Sequence, residues 1–174
     1  MKTLADYVVS IPDFPQPGIL FRDVTTVVQD AEGLRLAIDT MQELAADMAF
    51  DAIVGAESRG FLFGMPMAYN LNKSFVLIRK PGKLPRETVS AEYDLEYGKG
   101  VLEMHKDALR PGQRALLVDD LLATGGTIGA MIKLVEQCGG IVAGIVVLME
   151  LKGLKGRERI GKYEVRSAIQ YEGT

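Results

Sequence analysis

Short apolar runs alternate along this chain with longer stretches in which apolar residues return every third or fourth position. The runs are Ala52–Ala56 (AIVGA), Ser74–Arg79 (SFVLIR), 115–118 (ALLV) and 141–149 (IVAGIVVLM). Continuous apolar strings of this length fit strands buried on both faces. Between them, residues 31–48 place Leu34, Ala37, Ile38, Met41, Leu44, Ala45 and Met48 at helical spacing, the mark of an amphipathic helix covering a sheet. A second helical pattern runs from about 61 to 71, and a third over 127–138 through Ile128, Met131, Ile132, Leu134 and Val135. Strands alternating with helices predict an α/β fold: a parallel twisted sheet flanked by helices, with right-handed crossovers and ligands at the carboxyl ends of the strands.

The remaining segments read differently. Residues 3–10 suit a short helix, which the three prolines of 11–18 (IPDFPQPG) cannot continue. Residues 19–24 then look extended, an edge strand with Arg22 and Asp23 as an exposed charge pair. From Thr88, polar Ser90, Glu92, Asp94 and Glu96 alternate with apolar or aromatic neighbours, Gly98-Lys99-Gly100 turns the chain, and residues 101–105 alternate back. That is a two-stranded hairpin, and it predicts a surface position for His105, the only histidine. A closing strand is expected over 163–169.

Composition narrows the class. At 174 residues, 48% hydrophobic and 25% charged, the chain fits one soluble globular domain with a substantial core. A net charge of −3 argues against a broad nucleic-acid or anionic-membrane surface. The single Cys138 excludes an internal disulfide and fits a reducing compartment, and no apolar run is long enough to span a bilayer. The expectation is a cytoplasmic protein with no nucleic-acid or membrane partner.

Candidate chemistry gathers where strands end. The run 115–118 delivers an acidic pair, Asp119-Asp120, and then Ala123-Thr124-Gly125-Gly126-Thr127, before a helix begins. Such a loop can wrap backbone N–H groups and two Thr hydroxyls around a phosphate, with the helix N-terminus adding a favourable dipole. Adjacent carboxylates repel unless a cation or hydroxyl stands between them, so the pair points to hydroxyls or a metal. Ala52–Ala56 likewise delivers Glu57-Ser58-Arg59-Gly60 into a turn opening a helix; Glu57 and Arg59 could simply pair, or Ser58 and Arg59 could serve a second anion. The octet 79–86 carries Arg79, Lys80, Lys83 and Arg86, either a solvated loop or a site for a polyanion such as pyrophosphate. No G-x-x-x-x-G-K-[ST] and no G-x-G-x-x-G occurs, which removes P-loop hydrolysis and the dinucleotide fingerprint.

The decapeptide VDDLLATGGT (118–127) resembles the phosphoribosyl pyrophosphate signature of type I phosphoribosyltransferases. Further segments, FPQPGILFRDVT (14–25), ESRGFLFG (57–64), IRKPGKLPRETVS with YDLEYGKGVLE (78–90, 93–103) and LLVDDLLATGGT (116–127), resemble the adenine phosphoribosyltransferase family in order and over most of the chain. The resemblance implies one domain, 1–174, with a small N-terminal base-binding hood at 1–30 and a flexible β-hairpin lid at 80–106. It implies formation of AMP and pyrophosphate from adenine and phosphoribosyl pyrophosphate, with Mg²⁺ held by substrate and water rather than directly by protein ligands. Leu20, Phe21 and Arg22 would form the adenine pocket. Ser58, Arg59, Lys80 and Lys83 would take pyrophosphate; Asp119 and Asp120 would face ribose and the hydrated metal; Ala123, Thr124, Gly125, Gly126 and Thr127 would hold the 5′-phosphate. Glu96 and Tyr97 would be catalytic residues on the lid. The resemblance also implies a cis bond at Glu57-Ser58 and a homodimer. A non-catalytic sensor that kept the ribose phosphate loop is the alternative; it would need a DNA-binding module or basic face, and neither is visible in the sequence.

Overall fold

In the computed structural model, which describes residues 1–95 and 97–174, the chain begins with a 3₁₀ turn, Leu4–Tyr7, and two short strands, β1 (Val9–Pro12) and β2 (Leu20–Asp23). A helical turn α1 (Thr25–Val28), helix α2 (Ala31–Leu44) and strand β3 (Ala52–Ala56) follow. Next come α3 (Arg59–Leu71), β4 (Ser74–Arg79), the hairpin β5 (Thr88–Asp94) and β6 (Lys99–His105), then β7 (Arg114–Leu122) and α4 (Gly126–Gln137). The chain ends with β8 (Ile141–Leu151), the short helix α5 (Gly156–Ile160) and β9 (Val165–Tyr171). Glu96, assigned to the lid by resemblance, lies outside the described residues.

Seven strands form one sheet in the order β5-β6-β4-β3-β7-β8-β9, and β1 pairs with β2 in a separate antiparallel sheet. From β4 to β9 every neighbouring pair is parallel. The helix-flanked α/β sheet is therefore as expected, with one addition: the hairpin is not detached from it. β6 pairs antiparallel to β4 through Ile78↔Met104 and Arg79↔Glu103, so the sheet is mixed and the hairpin is its edge. Open parallel sheets commonly carry such an antiparallel edge.

Strand periodicity divides the core into two layers. Val54, Ile78, Leu117, Ile145 and Val147 face α4 through Ile128, Met131, Leu134 and Val135. Their strand neighbours Ile53, Leu116, Val118, Val146 and Leu148 face α2 and α3 through Ile38, Met41, Phe63 and Met67. Helix α2 starts where Asp30 Oδ1 accepts the N–H groups of Glu32 (2.9 Å) and Gly33 (3.0 Å), satisfying donors that the helix leaves unpaired. The helix stops at Leu44 rather than 48, and among the described residues no helix is long and apolar enough to cross a membrane.

Three local expectations change. The segment 9–12, read as the end of a short helix and the start of a proline-punctuated path, forms strand β1; it lies at an edge, where Pro12 forfeits no ladder bond a central strand would need. Arg22 and Asp23 are not an exposed pair: both are half-buried, with Arg22 Nη1 donating to Ser10 Oγ at 2.5 Å and Asp23 Oδ1 accepting from the Thr25 backbone at 2.8 Å. His105 is buried, not at the surface, because the base of the hairpin joins the main sheet. Its Nε2 accepts the Arg86 backbone N–H at 3.2 Å, which satisfies a polar atom that burial would otherwise leave costly.

The direction of chain travel reverses between β3 and β7. From β3 the chain passes through α3 to β4 on one side; from β7 it passes through α4 to β8 on the other. Since α3 and α4 pack on opposite faces, the carboxyl ends of β3 and β7 open a crevice at the switch point, the usual ligand position in open α/β sheets.

Candidate active site

Two loops meet in that crevice. After β3 comes Glu57-Ser58, joined by a cis peptide bond, and then the first turn of α3. After β7 comes 123–127, which turns at Gly125 with φ +88°, a conformation costly for side-chain-bearing residues, and leads directly into α4. Close approach of the loops depends on Gly60: a Cβ there would stand 3.0 Å from Asp119 Oδ1 and 3.3 Å from the Val118 carbonyl oxygen. A cavity of about 220 Å³ opens between them, lined by Arg59, Asp119, Asp120 and residues 121–128.

The structure brings Arg59 to the acidic pair rather than to Glu57. Arg59 Nε stands 3.0 Å from Asp120 Oδ2. The N–H is not aimed at that oxygen, which is buried without a hydrogen-bond donor, so the contact is one of charge proximity. Glu57 turns the other way, 3.4 Å from Arg79 Nε and accepting the Lys80 backbone N–H at 2.6 Å. The loop after β4 is thereby tied to the end of β3 by its backbone. The side chains of Lys80 and Lys83 are exposed, and among the described residues neither has a carboxylate partner.

Asp119 and Asp120 are 7% and 4% exposed. Asp119 Oδ1 accepts the Asp120 N–H at 2.8 Å. Burial, and next to it the charge of Asp120, push the Asp119 carboxyl well above its usual range. Two buried acids share one small cavity with a single guanidinium beside them; hydroxyl donors or a hydrated cation would relieve them.

The candidate base segment sits at the same edge of the sheet. Tyr171 ends β9, which runs parallel to β8, as β8 does to β7. The Arg22 guanidinium lies over the Tyr171 ring, 3.9 Å from its centroid, a stacking contact that fastens β2 to the carboxyl edge. Phe21 meets Phe14 edge to face at 5.1 Å, and Leu20 is partly exposed. The hairpin lies beside the 123–127 loop: the Asp94 carbonyl oxygen would be 3.4 Å from a Cβ at Gly126, and Tyr97, 88% exposed, projects into solvent.

The residues behind the 123–127 loop carry little signal in the sequence. Glu150, 3% exposed near the end of β8, accepts two hydrogen bonds from Arg157 on α5, from Nε to Oε1 at 2.7 Å and from Nη2 to Oε2 at 2.8 Å. Ser167 Oγ adds a third at 2.8 Å, and Arg157 Nη1 donates to the Val165 carbonyl at 2.7 Å. Hydrogen bonding by Arg157 holds the Glu150 carboxyl below its usual range. A signal existed in Glu150 itself, a carboxylate ending a long apolar strand. Arg157, among the lysines and arginines of 152–162, carried none.

Asp119 gives this arrangement a pH signature. A carboxyl whose folded pKa is raised contributes stability fully below its unfolded pKa and loses it as pH rises through the folded value. Asp119→Asn removes that loss while its amide oxygen can still accept the Asp120 N–H. Thermal unfolding of the ligand-free protein should therefore show Asp119→Asn more stable than wild type by on the order of 1 kcal/mol at neutral pH, with the gap closing near pH 4. A gap that widens on acidification would refute the assignment.

Comparison with known proteins matches this geometry. A model of the phosphoribosyl transferase domain matches residues 25–173. An adenine phosphoribosyltransferase of Lachnoclostridium phytofermentans is 60% identical over 173 residues, covering 99% of this chain and 99% of that one. The crystal structure of an adenine phosphoribosyltransferase from Thermoanaerobacter pseudethanolicus is 50% identical, covers 97% of this chain and 100% of its own, and superposes with a TM-score of 0.94. That of Saccharomyces cerevisiae, complexed with an imino-altritol bisphosphate and adenine, is 38% identical over 95% of this chain and 96% of its own, with a TM-score of 0.89. With the switch-point crevice, the buried acid pair and the glycine-turned loop in place, the chain belongs to the adenine phosphoribosyltransferase family.

Proposed function

We propose that this chain forms AMP and pyrophosphate from adenine and 5-phospho-α-D-ribose 1-diphosphate, a purine salvage reaction. The observation that carries the reading is the crevice itself, where Arg59, Asp119, Asp120 and the 123–127 loop line one cavity at the switch point. The adenine bound in the yeast relative supports the choice of base. Within the single domain, residues 1–30 serve as the base-binding hood and 80–106 as the lid.

Each part of the substrate then has a counterpart. The N–H groups of Ala123, Thr124, Gly125, Gly126 and Thr127, with the α4 N-terminus, take the 5′-phosphate. Asp119 and Asp120 accept hydrogen bonds from the ribose hydroxyls. Ser58, Arg59, Lys80 and Lys83 take the pyrophosphate and stabilise the charge that grows on it as its bond to C1 of ribose breaks. In the base pocket the backbones of Leu20 and Arg22 read the amino donor and ring acceptor of adenine while Phe21 stacks on the ring. As the C1–N9 bond forms, the N9 proton passes to Glu96, with Tyr97 beside it; the closed lid keeps water from the oxocarbenium-like centre.

Mg²⁺ fits on one observation: Asp120 Oδ2 is buried without a hydrogen-bond donor. Asp119 and Asp120 would hold it through water, with the substrate supplying further oxygens. When bound, it neutralises charge on the leaving group. The compartment is the cytoplasm, a reading supported by the lone Cys138. A base screen tests the function: adenine should give nucleotide with kcat/KM at least about a hundredfold above hypoxanthine and guanine, whose ring edges reverse the donor and acceptor pattern. Preference for either of those bases would overturn it.

The protein acts as a homodimer. Leu62, Met65 and Tyr69 form an apolar stripe along α3, 42%, 52% and 86% exposed, with Leu77 of β4 also 38% exposed. Helical spacing places the first three on one face, and a second copy is the partner that would cover such a patch. Sedimentation velocity should give a dimer for wild type and a monomer for Tyr69→Glu combined with Met65→Glu. A monomeric wild type would contradict it.

A further inference from the structure

The phosphate loop is backed, on the side away from its cavity, by the first turn of α5. A Cβ at Gly156 would lie 2.5 Å from the Ala123 carbonyl oxygen and 2.8 Å from Leu122 Cδ1. A Cβ at Gly125 would in turn lie 2.8 Å from the Gly156 carbonyl oxygen and 3.3 Å from Arg159 Cβ. Loop and helix therefore meet backbone to backbone, in a contact that admits no side chain at either position. Five residues cannot hold themselves helical or fix their own place in water. Ile160 seats the end of α5 in the core, and Arg157 fixes its start: the guanidinium forks onto Glu150 and also reaches the Val165 carbonyl, crossing from β8 to β9. Glu150 stands opposite Leu122 in the sheet register, one residue before the loop begins.

We propose that the Arg157–Glu150 pair is a positioning device for the 5′-phosphate loop. It pins Gly156 against Ala123 and Gly125 and so presets the backbone N–H groups that meet the phosphate. Glu150, Arg157 and Ser167 do not line the cavity; they act through the backbone of the loop. Preorganised donors lose their advantage when they can relax, and displacements on the order of 1 Å are enough to matter at such sites. A loosened loop weakens its hold on a phosphate without altering the base pocket, which lies at β2.

The inference rests on the phosphoribosyl transfer reading, and its test separates the two. Arg157→Ala, Arg157→Lys and Gly156→Ala are compared with wild type in KM for 5-phospho-α-D-ribose 1-diphosphate, KM for adenine, and calorimetric Kd for ribose 5-phosphate. Gly156→Ala leaves the ion pair in place and pushes directly on Ala123, so the set does not depend on one variant folding well. Arg157→Ala and Gly156→Ala should each raise the KM for the ribose substrate and the Kd for ribose 5-phosphate roughly tenfold, with the adenine KM unchanged. Arg157→Lys, which keeps the charge but not the fork, should recover part of the loss. Variants that lose only active fraction, with kcat lowered and both KM values and the Kd unchanged, overturn the proposal, as does an equal rise in both KM values. Wild-type protein that binds ribose 5-phosphate but makes no AMP counts against the transferase reading alone, since the Kd series still decides the role of the pair.

Discussion

Two carboxylates placed side by side at the end of a buried strand set the terms for everything around them. Asp119 and Asp120 are almost fully buried, and burial together with mutual repulsion holds Asp119 above its ordinary pKa. Such a pair is a standing cost to the folded chain, tolerable because Arg59 lies against one member and the Asp120 N–H bonds the other. Much of the surrounding architecture can be understood as bringing those groups within reach. Gly60 lets α3 begin against β7, and the reversal of strand order between the parallel neighbours β3 and β7 puts both loops in one crevice. A ligand that brings hydroxyls and a phosphate removes the repulsion at the same place where it gains the loop's N–H groups.

The other parts of the site are fastened to this centre from outside. Arg22 on Tyr171 attaches the small N-terminal sheet to the last strand, and Glu57 holds the loop after β4 through the Lys80 N–H. The hairpin is anchored at its base by β4 and by the bond from Arg86 to His105, while Tyr93 and Asp94 reach the beginning of α4.

What the sequence showed and hid follows from the range of the interactions. β3 and β4 begin and end where their apolar runs do, because strands buried on both faces must be apolar throughout. The acid pair and the glycine loop were legible because their chemistry is contiguous in the chain. The partner of Arg59 was not: Glu57 is two residues away, yet the guanidinium faces Asp120, sixty-one positions on, and only the sheet order brings that about. His105 belongs to an alternating segment whose outward face should be wet, but the antiparallel pairing of β6 with β4 covers its base. α5 is too short for periodicity to register, so its backbone contact with the 123–127 loop could emerge only from Gly156 in three dimensions.

The claim at the centre is that repulsion inside the Asp119–Asp120 pair is real and is sustained by the fold. A carbon-detected pH titration of the Asp119 carboxyl, in the ligand-free wild type and in Asp120→Asn, measures it directly. The wild-type midpoint is expected well above the ordinary value of about 3.9, moving down when the neighbouring charge is removed. An ordinary midpoint in the wild type that does not move in the variant would contradict it.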